Sequence, residues 1–222
     1  LDDLGREVEG QLMKGGVPTT YIHLDVTNAD DWANAVEKAV NMYGRIDILV
    51  NNAGIVLNKT LEETSIDEWN KVQGTNAKGA FLGTKAVVPI MKVQGGGSIV
   101  NISSDLGLIA PDQRLYKKEG LKDNEQPVKP VTYSVVKHGI IGLTKYLATY
   151  WADKNIRVNS ITLGGVYTDQ PDEFVKKLTN LIPLGRMASL DEYKAAIIFL
   201  VSDASSYMTG SNLVIDGGRT CW

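Results

Sequence analysis

Tyr133 and Lys137 stand four residues apart in TYSVVKHG (132–139), at the head of a run, HGIIGLTKYLATYW, that reads as a helix. That spacing puts both side chains on one helix face, one turn apart. A tyrosine in water titrates at about 10 and is a poor acid–base catalyst near neutrality. An ammonium one turn away favours the phenolate and brings that value down. A serine at the end of a neighbouring strand, Ser104, could hold a substrate oxygen beside the phenol. Each residue also has a plainer reading. Tyr and Lys at this spacing are common on ordinary helices, Lys137 could be a solvated side chain, and Ser103–Ser104 could simply cap a strand.

The elements that must position these residues alternate along the chain. TTYIHLDV (19–26) reads as a strand, and residues 28–44 as a helix with an Asn or Asp cap, an apolar stripe through Trp32, Val36 and Val40, and a closing Gly44. IDILV within 45–54 is an apolar run suited to a strand covered on both faces. Residues 65–92 read as one long helix opening with a Ser65-x-x-Glu68 capping box. Strands at 97–104, 156–163 and 211–218 and helices at 131–152 and 190–203, with a loop and short helix at 164–180, complete the pattern. Five strands alternating with crossover-length helices predict a doubly wound, three-layer α/β/α parallel sheet in a single domain over 1–222. In such sheets ligands bind at the carboxyl ends of the strands. Asp25, Asn51–Asn52, Ser103–Ser104 and the loop after Leu163 all fall on that edge.

Composition narrows the classes further. The 222 residues are 43% hydrophobic and 22% charged, close to globular averages, with a net charge of −3 that argues against a nucleic-acid partner. No apolar run approaches membrane-spanning length, the longest being AAIIFLV (195–201). With a lone Cys221 and no signal-peptide pattern, the expectation is a cytoplasmic protein without disulfide or metal cluster. His23, His138 and Cys221 read as structural or incidental, NNAG (51–54) is compatible with a plain turn, and GGG (95–97) with a flexible strand entry.

In order, LDVT (24–27), DILVNNAG (47–54), TNAKGAF (75–81), SIVNISS (98–104), YSVVK (133–137), RVNSI with GGVYT (157–168) and GSNLVIDGG (210–218) resemble the short-chain dehydrogenase/reductase family over essentially the whole chain. The resemblance implies a Rossmann-like fold, an NAD or NADP cofactor, and interconversion of a secondary alcohol and a ketone. It implies that Tyr133 is the general acid or base, that Lys137 lowers its pKa and holds the nicotinamide ribose, and that Ser104 binds the reacting oxygen. Asn76 would support a water linking Lys137 to solvent. Asp25 and Val26 would meet the adenine, and Asn52, Ala53 and Gly54 the adenosine ribose and backbone. Gly164, Val166 and Thr168 would contact the nicotinamide end. No metal is implied, and a homo-oligomer, dimer or tetramer, built through the helices at 65–92 and 131–152 is.

Three features depart from the family pattern. No glycine-rich turn precedes LDVT, and residues 1–14 read as the helix leading into that strand, so the expectation is a chain lacking its N-terminal βαβ segment, with the residue that selects NAD or NADP. Ser104 and Tyr133 are 29 positions apart, about twice the usual family spacing, and the expanded loop 105–132 is placed to act as a substrate lid or as a surface or subunit-contact insertion. From Pro111 to Pro130 that loop holds five basic and four acidic residues, which leans towards a polar or anionic, sugar-like substrate. Leu163 stands where the family commonly has proline. A 3-oxoacyl thioester reductase, and a truncated non-catalytic relative serving as a subunit or binding partner, are the competing expectations.

Overall fold

The computed structural model describes residues 2–222. Four parallel strands, β1 (Ile48–Asn51), β2 (Gly97–Ser104), β3 (Ile156–Leu163) and β4 (Asn212–Ile215), form one sheet in the order β1-β2-β3-β4. Ser104 pairs with Leu163 and Leu163 with Ile215, so the carboxyl ends of β2, β3 and β4 line up in one row. Side chains alternate across the strands. Ile99 and Val158 face one side, where they pack with Trp32, Val87, Met91 and Leu147. Val100 and Ile161 face the other, against Tyr193, Ala196 and Leu200. A helical layer therefore covers each face of β2 and β3, and near-continuous apolar runs such as SIVNI are what two covered faces require, whereas β1, expected to be covered on both faces, leaves Ile48 and Val50 exposed.

The helices follow from local signals. α1 (Asp2–Lys14) precedes α2 (Ala29–Tyr43), which starts at Asn28, whose side chain accepts from the Asp30 amide, and stops at Gly44 in the left-handed region. α3 (Ile66–Gln73) opens with the expected reciprocal box, Ser65 Oγ accepting from the Glu68 amide and Glu68 from the Ser65 amide. α4 (Gly79–Gln94) and α5 (Val131–Tyr150) pack on the Ile99 face, and α7 (Lys194–Val201) on the other, after the short α6 (Asp172–Thr179). The chain steps in one direction across the sheet while its crossovers change face between β2–β3 and β3–β4. Those two connections therefore have opposite hands, and one departs from the right-handed rule.

Three expected elements differ. Residues 19–26 run without a strand ladder: among the described residues no strand pairs with them, and the Tyr21 amide donates to Glu9 Oε1 of α1 at 2.9 Å instead. An apolar alternation without a neighbouring strand to accept its hydrogen bonds does not make a sheet strand. The long helix expected over 65–92 is divided by a wide π turn at Gly74–Lys78, where the Gly79 amide reaches back to Gly74 O. Such turns concentrate at functional positions, and this one carries Asn76. The helix expected over 190–203 is also shorter, because residues 190–193 turn before α7 begins.

Candidate active site

Adjacent serines at the end of β2 point to opposite faces. Ser103, buried, donates from Oγ to Lys137 O at 2.9 Å and so fastens the strand to α5. Ser104 turns to the cleft, where its hydroxyl donates to Asp105 Oδ1 at 2.7 Å and accepts from the Leu106 amide at 3.2 Å. Gly107 lets the following loop close on the helix: a Cβ there would stand 2.6 Å from Ser103 Oγ and 2.7 Å from Lys137 O. The strand-end turn and the Tyr133 helix are thereby held as one piece.

Tyr133 and Lys137 lie in the first two turns of α5, both half-buried. Lys137 Nζ donates to Ile102 O at 2.9 Å and stands 5.6 Å from the Tyr133 ring centroid. Burial, with a smaller contribution from the Lys129 charge, pulls the Lys137 ammonium down to about 8. Burial pushes the Tyr133 phenol above its ordinary value, the nearby Ser104 hydroxyl offsets this in part, and the Asp105 carboxylate adds to it. Desolvation thus dominates at the phenol in the free protein, where the Lys137 ammonium is engaged by the Ile102 carbonyl. Asn76 is buried and clamps Ile55 from both ends, Oδ1 accepting from the Ile55 amide at 2.8 Å and Nδ2 donating to Ile55 O at 2.9 Å. Its amide thereby fixes the loop after β1.

A cleft of about 320 Å³ brings together Asn52, Gly54, Asn76, Ser104, Tyr133, Lys137, Gly164 and Val166. Other predicted residues stand outside it. Ala53 is exposed beside Asn52. Asp25 turns its carboxylate onto the amide and hydroxyl of Thr27, whose hydrogen bonds hold it below the usual carboxylate range. Val26 accepts from the Trp32 indole at 3.0 Å and packs against Gly79 at the start of α4. Thr168 is exposed and tied to Gln170. The donors in the cleft suit a nicotinamide riboside: Lys137 has one of its three N–H groups engaged, and Tyr133 and Asn52 offer further polar atoms.

A second cavity, about 250 Å³, adjoins the first through Ser104, Tyr133, Gly164 and Val166. Its far side comes from the expanded loop, with Pro111, Asp112, Leu115, Tyr116 and Lys129, and from Phe174, Met187 and Arg219. The loop is anchored by buried Leu115, which packs with Leu178, Ile182 and Met187, by the Tyr116–Phe174 ring pair at 5.6 Å, and by Gln113 bonding both backbone groups of Lys129. Lys129 Nζ lies 4.0 Å from the Tyr133 ring centroid. Asp105, Lys129 and Arg219 received no individual role from sequence reasoning. For Arg219 a usable signal existed, since DGGR directly follows the carboxyl end of the last strand.

The fold and this cleft define a dinucleotide-binding α/β protein with a Tyr–Lys–Ser cluster at its ligand edge. The chain belongs to the short-chain dehydrogenase family: residues 2–116 match the family described as short chain dehydrogenase, and residues 123–220 that described as Enoyl-(Acyl carrier protein) reductase. It is 44% identical over 200 residues to the trans-4-hydroxycyclohexanecarboxylate dehydrogenase of Sinomonas cyclohexanicum, covering 90% of this chain and 70% of that protein. A short chain dehydrogenase from Leptospira borgpetersenii solved with bound NAD+ superposes with a TM-score of 0.81 at 35% identity, over 89% of this chain and 74% of the other. The gluconate 5-dehydrogenase of Burkholderia cenocepacia, solved with NADP and tartrate, gives 0.85 at 28% identity, over 100% and 81%.

Proposed function

We propose that this protein is an NAD- or NADP-dependent oxidoreductase interconverting a secondary alcohol and a ketone on a small, polar, sugar-like substrate. The observation that carries this reading is the convergence of Ser104, Tyr133 and Lys137 on one cleft at the carboxyl edge of the sheet, with Asn76 beneath it. The cofactor, when bound, supplies the hydride for reduction or takes it in oxidation.

The protein's own residues manage the oxygen and its proton. Burial keeps the Tyr133 phenol protonated at neutral pH, the form that donates to a carbonyl oxygen as its carbon receives hydride. In the reverse direction the same oxygen takes the alcohol proton. Ser104 hydrogen-bonds the reacting oxygen once its hydroxyl turns away from Asp105. Lys137, titrating at about 8, exchanges protons near working pH and can reprotonate the phenol by way of a water held at the Asn76 turn. Asn52, Ala53 and Gly54, with Asp25 and Val26 beyond, would line the adenosine side, and Gly164, Val166 and Thr168 the nicotinamide side.

The loop 105–132 acts as the substrate lid, because it supplies much of the wall facing Tyr133. A cavity of about 250 Å³ is below the usual range for drug-sized ligands, which favours a small substrate over a long acyl thioester. The second reading, a 3-oxoacyl thioester reductase, is favoured by 40% identity over 222 residues to a 3-oxoacyl-[acyl-carrier-protein] reductase of Thermotoga maritima. Phe81 on α4, and Tyr146 and Tyr150 on α5, are exposed and would be covered in a homo-oligomer, which sedimentation velocity would detect. To test the central reading, the purified chain is titrated with NADH and NADPH while nicotinamide fluorescence is followed. Saturable micromolar binding that a Tyr133→Phe variant retains, with turnover lost, is expected. Absence of binding to either cofactor defeats the reading.

A further inference from the structure

Arg219 is only 7% exposed, yet its guanidinium makes no hydrogen bond or ion pair among the described residues, and its Nε is buried without a partner. A buried, unpaired cation is costly and in a native fold calls for an explanation. The carboxylate nearest in sequence is not available to it. Asp216 accepts from the Gly218 amide at 2.8 Å, the Thr220 amide at 2.8 Å and Thr220 Oγ1 at 2.7 Å. Those bonds shape the turn that carries Arg219. Gly217 and Gly218 take φ of 67° and 88°, and a Cβ on either would come within 2.7 Å of Ile182 or Pro183. The turn is wedged in place, and its arginine lines the cavity that also holds Ser104 and Tyr133.

The charges around the cavity leave a positive remainder. Asp112 also lines the cavity and feels the Arg219 charge, but it is bonded to the exposed Arg114 through contacts of 2.7–3.1 Å, so it meets Arg219 as part of an internally neutral pair. Asp105 faces the cavity and already accepts from Ser104 and from the Leu106 amide. Against that single carboxylate stand Arg219 and Lys129. The Lys129 ammonium lies over the Tyr133 ring and has no ion pair among the described residues.

We infer that Arg219, assisted by Lys129, is the specificity residue that binds an ionised carboxylate on the substrate, and that this enzyme acts on a small hydroxy or oxo acid. The inference rests on the oxidoreductase reading for the hydroxy or oxo group, but the anion site stands on the geometry of Arg219. A guanidinium fork matches the two oxygens of a carboxylate, and in a water-poor cavity such a pair fixes orientation as well as affinity. With the acid group held on the Arg219 side, the reacting oxygen of a short substrate falls to Ser104 and Tyr133 on the other.

The test uses the full chain in calorimetric titrations with trans-4-hydroxycyclohexanecarboxylate, its neutral carboxamide, tartrate and inorganic phosphate. Wild type should bind at least one carboxylate, and the carboxamide at least about tenfold more weakly. Arg219→Met should reduce carboxylate affinity by about 30-fold or more and Lys129→Gln by about tenfold. Because the Arg219 side chain has no hydrogen-bond or ion-pair partner among the described residues, Arg219→Met should melt no lower than wild type, whereas removal of a structural arginine would lower the midpoint. If Arg219→Met does not fold, Arg219→Lys, which keeps the charge but loses the fork, should bind about tenfold more weakly. Equal binding of acid and amide, unchanged affinity in the variants, preference for phosphate, or no carboxylate binding at all overturns the inference. Carboxylate binding without NADH or NADPH binding would leave the anion site standing and defeat the oxidoreductase reading instead.

Discussion

On the wall of the active cavity formed by strand ends and α5, polar side chains are engaged with backbone: Ser103 with Lys137 O, Lys137 with Ile102 O, Asn76 with both groups of Ile55. On the opposite wall, formed by the expanded loop and the turn after β4, Lys129 and Arg219 present charge with no ion pair among the described residues. The first wall is tied to the sheet, and its geometry is set before any substrate arrives. The second is tied to satellite contacts around Leu115 and leaves its cations for whatever enters. On the reading proposed above, fixed hydrogen bonds on one side would serve the shared chemistry. Charge without an ion pair on the other would serve the choice among substrates, because a buried unpaired group discriminates strongly between ligands that do and do not satisfy it.

The largest expected effect lies on the fixed wall. Tyr133→Phe removes the proposed proton donor and should lower kcat by about 10³-fold with little change in melting temperature. A variant that keeps a tenth of the activity would move the acid–base role elsewhere. Lys137 gives a pH signature. Burial brings the folded ammonium down to about 8, whereas unfolded it keeps its proton to about 10.5. Between those values the unfolded chain binds more protons, so stability rises with pH across that window, by at most about 3 kcal/mol. Urea midpoints from pH 7.5 to 9.5 should rise in wild type and flatten in Lys137→Met, and the reduction rate should fall over the same range as the ammonium is lost.

Asn76→Ala leaves both Ile55 groups without their partner and should cost about 2 kcal/mol by urea denaturation, with weaker cofactor binding as the loop after β1 loosens. Unchanged stability would show that the clamp contributes nothing. On the adaptable wall, Leu115→Ala should cost about 2 kcal/mol, confined to the loop. Hydrogen exchange should then quicken across 110–129 and leave β2 and β3 protected. A uniform loss through the sheet would contradict the division into two walls.

The chain's own pattern determined a good deal. Apolar runs at 97–104 and 156–163 marked strands covered on both faces, IDILV marked a strand but not that its Ile48 and Val50 stay exposed, Asn28, Gly44 and the Ser65–Glu68 box marked helix ends, and the order of motifs put Ser104, Tyr133 and Lys137 at one sheet edge. These are signals that repeat every few residues or rest on local bonds, so a linear reading reaches them. It failed where a partner outside the segment decides the outcome. Residues 19–26 alternate like a strand but have no strand beside them, and residues 65–92 look like a continuous helix until the π turn at Asn76 is seen. How deeply Tyr133 is buried, which pushes its phenol up, is likewise something spacing along a helix does not report. Arg219 is the clearest case: 86 positions separate it from Tyr133, and only the wedged turn after β4 brings its unpaired charge to the same cavity. Periodicity and caps are properties of neighbours in sequence, whereas burial and the pairing of charges belong to neighbours in space.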